Sequence, residues 1–197
     1  MTTTIPMPTI CASIWPRAAR GSLSRGLGLA LVGTLLLTIS AKLQVPFYPV
    51  PLTFQTLVVL VLGLAYGWRL GGATVALYLV EGAVGLPVFA GTPEKGLGIA
   101  YMTGPTGGYL LGFLVAAVLC GWLAERGWDR RVPTAAGAML LGNLLIYALG
   151  LLWLGSLLGW DKPILEWGLF PFLYGDLLKV GLGAALLPLA WKILHRA

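Results

Sequence analysis

The chain has 197 residues, of which 58% are hydrophobic and only 10% charged, with a net charge of +6 and a mean hydropathy of +0.87. A soluble domain carries about 25% charged residues, so the composition excludes a soluble globular enzyme, a disordered chain and a conventional nucleic-acid binder. In so apolar a sequence the excess of Lys and Arg reads as loops facing anionic lipid.

The first 22 residues hold Pro6, Pro8, Pro16, Arg17 and Arg20 without a long apolar core. They read as a mobile or surface-lying arm on the cytoplasmic side, not as a cleaved signal peptide. The remainder, 23–197, reads as one all-α integral membrane domain. A membrane-crossing helix takes roughly 20 apolar residues, and six runs qualify, over approximately 24–43, 53–67, 70–87, 107–125, 133–158 and 170–193. These runs are continuous and rich in Leu, Ala and Gly, so strands are not expected. Gly63 with Gly67, and Gly108 with Gly112, have the spacing that lets helix backbones approach closely. Trp68, Trp122, Trp128 and Trp160 fall near span ends, as interfacial anchors do.

The cations distribute unevenly across this six-helix layout. Arg17, Arg20, Arg25, Arg69, Arg126, Arg130, Arg131, Lys192 and Arg196 fall on one side, and Lys42, Lys95 and Lys162 on the other. The positive-inside rule then puts both termini in the cytoplasm, as an even number of crossings requires.

Three segments on the external side differ from plain connections. Residues 44–55 combine prolines with Phe47 and Tyr48, a stiff and extended stretch. Residues 85–91, with Gly96, Gly98 and Gly104-Pro105-Thr106-Gly107-Gly108-Tyr109, supply glycines for tight turns and close approach to a ligand. The third segment is 167–174. A pocket roofed from outside follows if the three converge.

Few chemically capable groups lie within the spans. Asp176 and Lys179 are three apart and share a helix face. They are either a neutralising structural pair or a polar ligand site suited to a molecule with both N–H and carbonyl groups, such as a cyclic urea. Glu81 is the other charge inside a span, with neutralisation, backbone hydrogen bonding and ligand contact all open. Gln55 starts the second helix and is a candidate for the outer cavity, whereas Asn143 reads as interhelical glue. Cys120 reads as a small buried hydrophobe. With His195 the only histidine, no metal or haem site is expected, and no cofactor. There is no phosphate loop of the G-x-x-x-x-G-K-[ST] kind, no Ser/His/Asp set and no paired carboxylates, so the chain reads as neither an enzyme nor an ATPase.

The motifs Pro49-Val50-Pro51-Leu52-Thr53-Phe54-Gln55-Thr56, Gly85-Leu86-Pro87-Val88-Phe89-Ala90-Gly91, Gly104-Pro105-Thr106-Gly107-Gly108-Tyr109 and Pro171-Phe172 with Gly175-Asp176-Leu177-Leu178-Lys179, in this order on six apolar spans, resemble BioY, the biotin-binding S component of energy-coupling factor (ECF) vitamin transporters. The resemblance covers nearly all of the chain after the arm. It implies an S-component bundle in the bacterial cytoplasmic membrane that captures biotin near the external face and works with a transmembrane coupling subunit and two ABC-type ATPases, without nucleic acid. It implies that Asp176 and Lys179 hold the biotin head and that Tyr109 and Gly91 line the site. Phe47, Tyr48, Phe89, Tyr101 and Tyr109 are candidates to cover the apolar parts of biotin. Some family members place an arginine after the tyrosine that Leu110 follows here, which leaves the partner of the valerate carboxylate open between Lys95 and backbone N–H groups. Gly26, Ala30 and Gly33 have the spacing to pack against a coupling subunit. The alternative function is a self-sufficient ion- or proton-coupled transporter of biotin or a related vitamin, with Glu81 and Asp176 titrating.

Overall fold

A computed structural model describes residues 7–14, 23–91 and 97–194. In chain order its elements are α1 (Ile10–Ile14), α2 (Leu23–Lys42), the strands β1 (Gln44–Val45) and β2 (Leu52–Thr53), α3 (Gln55–Ala83), α4 (Ile99–Met102), α5 (Gly107–Ala124), a 3₁₀ turn (Trp128–Arg130), α6 (Val132–Leu158), α7 (Ile164–Gly168) and α8 (Phe170–Leu194). Helices dominate because an apolar surrounding offers no partners to the backbone, which must satisfy its own N–H and C=O groups. Among the described residues five helical stretches are long and apolar enough to cross a membrane.

The second and third expected runs are joined in α3, but α3 is not straight. Gly67 has φ 82° and ψ 171°, a conformation available essentially only to glycine. Beyond it the chain doubles back. Gln55 Nε2 lies 2.8 Å from the Tyr78 hydroxyl, although 23 residues of straight helix would separate them by about 35 Å. A Cβ at Gly71 would lie 3.1 Å from Gly63 Cα. The arms 55–66 and 68–83 therefore run antiparallel. The second arm ends at Ala83, four residues short of the expected 87, because Gly85 turns the chain at φ 97° and Pro87 follows.

Close approach organises the core. A Cβ at Gly63 would lie 2.7 Å from the Ala117 carbonyl oxygen, and one at Gly112 would lie 2.7 Å from Ile146 Cα. So α5 nests between α3 and α6, and Leu60, Val75, Ala116, Cys120, Met139 and Ile146 are buried there. α2 packs on both arms of α3, since a Cβ at Gly33 would meet Thr74 and approach Tyr66 and Leu62. This corrects the reading of Ala30 and Gly33 as a surface for another subunit. Both are consumed inside the chain, and only Gly26 of that set has open space beside it.

Two further expectations change. Strands do occur: Gln44 pairs with Thr53 and Val45 with Leu52, so the proline-rich segment is a small antiparallel hairpin that sends 46–51 back over the bundle. Of the N-terminal arm, residues 7–14 are seated at the end of the bundle opposite that hairpin. There the Met7 N–H donates to the Glu125 carbonyl, and Thr9, Ile10 and Cys11 are buried. The same end gathers three Arg–Trp stacks, Arg69 on Trp68, Arg126 on Trp122 and Arg130 on Trp191, together with buried Asp129, which accepts from Trp191 Nε1 at 2.6 Å.

Gly67→Ala should destabilise the fold by about 1–3 kcal/mol, since a Cβ there would also come within 2.8 Å of Glu125 Oε1. The expected readout is a lower thermal unfolding midpoint in detergent, and an unchanged midpoint would refute the doubled-back arm.

Candidate functional site

The polar end of the site is built on one face of α8. Lys179 Nζ donates to Asp176 Oδ1 at 2.7 Å, to the Thr53 carbonyl at 2.7 Å and to Thr56 Oγ1 at 3.1 Å. An ammonium has three hydrogens, so all are used. Thr56 Oγ1 passes its own hydrogen to Asp176 Oδ1 at 2.9 Å, and Tyr147 on α6 donates to Asp176 Oδ2. The pair is thus neutral as a unit, buried, and fastened to the start of α3 and to α6.

This arrangement leaves oxygens facing the cavity. Asp176 retains acceptor capacity, as does the Tyr147 phenol. The Tyr109 hydroxyl donates to the Gly168 carbonyl at 2.8 Å and keeps its lone pairs. The polar end therefore suits a ligand that brings N–H donors. The remaining walls are apolar, formed by Val50, Pro51, Leu110, Phe113, Ile146 and Phe172. The space between these walls is about 530 Å³ when the part open to solvent is included, and only about 40 Å³ of it admits the centre of a water-sized sphere.

The three segments singled out from the sequence converge here, through Val50 and Pro51, through Ala90, Tyr101 and Thr106, and through Phe172. A second, outer chamber, about 1,080 Å³ with the part open to solvent included, lies between Phe47, Tyr48, Gly91, Tyr101 and Pro105. The two chambers share Pro51, Ala90, Tyr101 and Thr106, which form a constriction between them.

Of the residues singled out from the sequence, Asp176, Lys179, Tyr109, Gln55 and Tyr101 line the inner chamber, and Phe47, Tyr48, Gly91 and Tyr101 line the outer one. Phe89 lies behind the wall. It is buried, stacked on Tyr101 at 5.2 Å and edge-on to Tyr78 at 5.4 Å, in a notch that exists because residue 82 is glycine. Gln55 Nε2 donates to the Tyr78 hydroxyl, which donates to the Val88 carbonyl at 2.9 Å, so the same support reaches the glycine loop. Burial holds the Tyr101 phenol above its ordinary range, so it remains a neutral hydrogen-bonding group.

Glu81 is not brought to the site. It lines neither chamber and accepts from Thr34 Oγ1 at 3.1 Å, on the seam between α2 and α3. Asn143 does not act as interhelical glue through its carbonyl: among the described residues Oδ1 has no hydrogen-bond partner, and the side chain borders a groove between α6 and α8. Lys95 lies outside the described residues. Tyr147 was not singled out from the sequence, and Thr56 and Phe172 were named there only as members of a motif and a segment. Tyr147 follows Asn143 by one helical turn, the signal that a polar group on α6 faced α8.

A sequence model of the BioY family matches residues 13–196. Relatives include a probable biotin transporter BioY of Pyrococcus horikoshii, 35% identical over 79% of this chain and 90% of that protein. The biotin transporter BioY of Thermotoga maritima is 38% identical over 82% of this chain and 92% of its own length. That of Rhodobacter capsulatus is 42% identical over 77% and 86%. The fold is similar to a crystal structure of the S component for biotin from an ECF-type ABC transporter, with a TM-score of 0.69 and 24% identity, covering 86% of this chain and 92% of the other. With this match over most of its length, and with several helices fit to cross a bilayer, the chain is a multi-pass membrane protein and belongs to the BioY family.

Proposed function

We propose that this protein captures biotin at the external face of the bacterial cytoplasmic membrane and delivers it inward as the S component of an ECF-type transporter. The observation that carries this reading is the neutral Asp176–Lys179 network at the closed end of an apolar cavity. Biotin has a ureido ring with two N–H groups and one carbonyl, an apolar thiophane ring and a valerate tail. The N–H groups match the oxygens of Asp176 and Tyr147, while Lys179 gives up one of its three bonds to reach the ureido carbonyl. The thiophane ring lies against Val50, Phe113 and Phe172, and Tyr109 closes that wall. The tail passes the constriction at Ala90 and Tyr101 into the outer chamber beside Phe47, Tyr48 and Gly91. Phe89 and Gln55 act by holding these walls.

The doubled-back α3 supports six membrane crossings with both termini in the cytoplasm. The end bearing the Arg–Trp stacks is then the cytoplasmic one, in keeping with the uneven distribution of cations. The protein performs no chemistry on its ligand and holds no cofactor in this reading. Having no phosphate loop, it depends on a coupling subunit and two ATPases for energy. The ion-coupled alternative loses support from the separation of Glu81 from the cavity.

Calorimetric titration of the purified protein should give heat with biotin and none with thiamine or riboflavin; binding of either of these instead would overturn the substrate. Uptake into liposomes driven by an ion gradient, without other subunits, would favour the alternative. Asp176→Asn and Lys179→Ala should each weaken biotin binding by about 1–3 kcal/mol, because each strands a buried charged partner. Tyr147→Phe removes one neutral donor and should cost about 1 kcal/mol. Wild-type affinity in all three would make the network structural only.

A further inference from the structure

We infer that Lys42 is the latch that holds the segment 85–91 in place beside the cavity. Lys42 is the last residue of α2, and its side chain crosses to the loop after α3. Its Nζ donates to the Phe89 carbonyl at 2.6 Å and lies 3.5 Å from the Gly91 carbonyl. Among the described residues no carboxylate forms an ion pair with it. A solvent-exposed ammonium is thus used on two neutral backbone oxygens, and a hydrogen bond from a charged donor is stronger than one from a neutral donor.

The two carbonyls bracket Ala90, which faces both chambers at the constriction. Pro51, carried by the hairpin that follows α2, lines the same two chambers. One residue therefore sits at the root of the first roof segment and grips the second. Pro51 and Ala90 line both chambers, so a ligand that moves from the outer chamber to the inner one passes between these two segments. Lys42 sets the width of that passage. It is a positioning residue, since it lines neither chamber.

The kinetic part of the test rests on the biotin reading, and a second part does not. In Lys42→Met, biotin should dissociate about tenfold faster, with association changed less than about twofold. Lys42→Arg, which keeps a charged donor, should restore dissociation to within about threefold of wild type, and Lys42→Gln should fall between. Independently of any ligand, Ala90→Cys should react with a water-soluble maleimide about tenfold faster when combined with Lys42→Met, against the slow background of the buried Cys11 and Cys120. Wild-type dissociation and labelling rates in Lys42→Met would overturn the latch, as would failure of arginine to rescue. If the wild-type protein does not bind biotin, the substrate reading fails and the labelling rates alone judge Lys42.

Discussion

A carboxylate and an ammonium inside an apolar bundle are tolerable only if each is neutralised and its hydrogen-bonding capacity is met. That requirement shapes the ligand end of this molecule. Asp176 and Lys179 satisfy one another, but an ion pair alone leaves lone pairs and hydrogens over, and these are met by Thr53, Thr56 and Tyr147. The result ties α8 to the start of α3 and to α6. The side chains that mark the site chemically thus also hold its walls in place.

The rest of the bundle serves that end by being dense. Gly63, Gly71 and Gly112 let backbones touch, and Gly67 lets the chain reverse within the width of two helices. The helices touch along their middles, and the site lies beyond them, where three connecting segments meet. The cavity lies where regular packing gives way to hairpin and loop, which is also where a polar molecule arriving from water would reach it first.

Much of this was legible beforehand. Long apolar runs fix helices strongly, so α2, α5, α6 and α8 fall within a residue or two of expectation. The i,i+3 spacing of Asp176 and Lys179 fixes a shared face. The short elements were not legible: β1 and β2 depend on a tertiary arrangement that folds the prolines back, and α4 and α7 are too short to leave a periodic signature. Tyr147 and Thr56 were not singled out because a tyrosine or threonine in a membrane helix looks ordinary until a charge on another helix is seen beside it. Glu81 misled for the opposite reason. A charge in a span draws attention, yet Glu81 lines neither chamber and takes a hydrogen bond from Thr34 on the seam between α2 and α3. Ala30 and Gly33 misled because small residues pack equally well within a chain or between chains.

The neutrality of the Asp176–Lys179 unit has an electrical consequence. A charge displaced through the membrane field exchanges about 2.3 kcal/mol with it per 100 mV. The inner chamber carries no net charge of its own, because Lys179 and Asp176 cancel at 2.7 Å. A head group that is itself neutral then settles there without moving charge through the field. In the pose proposed for biotin its only charged part stays in the outer chamber, away from the Asp176–Lys179 pair. In the proposed pose, capture therefore moves little charge through the field, and the affinity depends little on whether the membrane is energised.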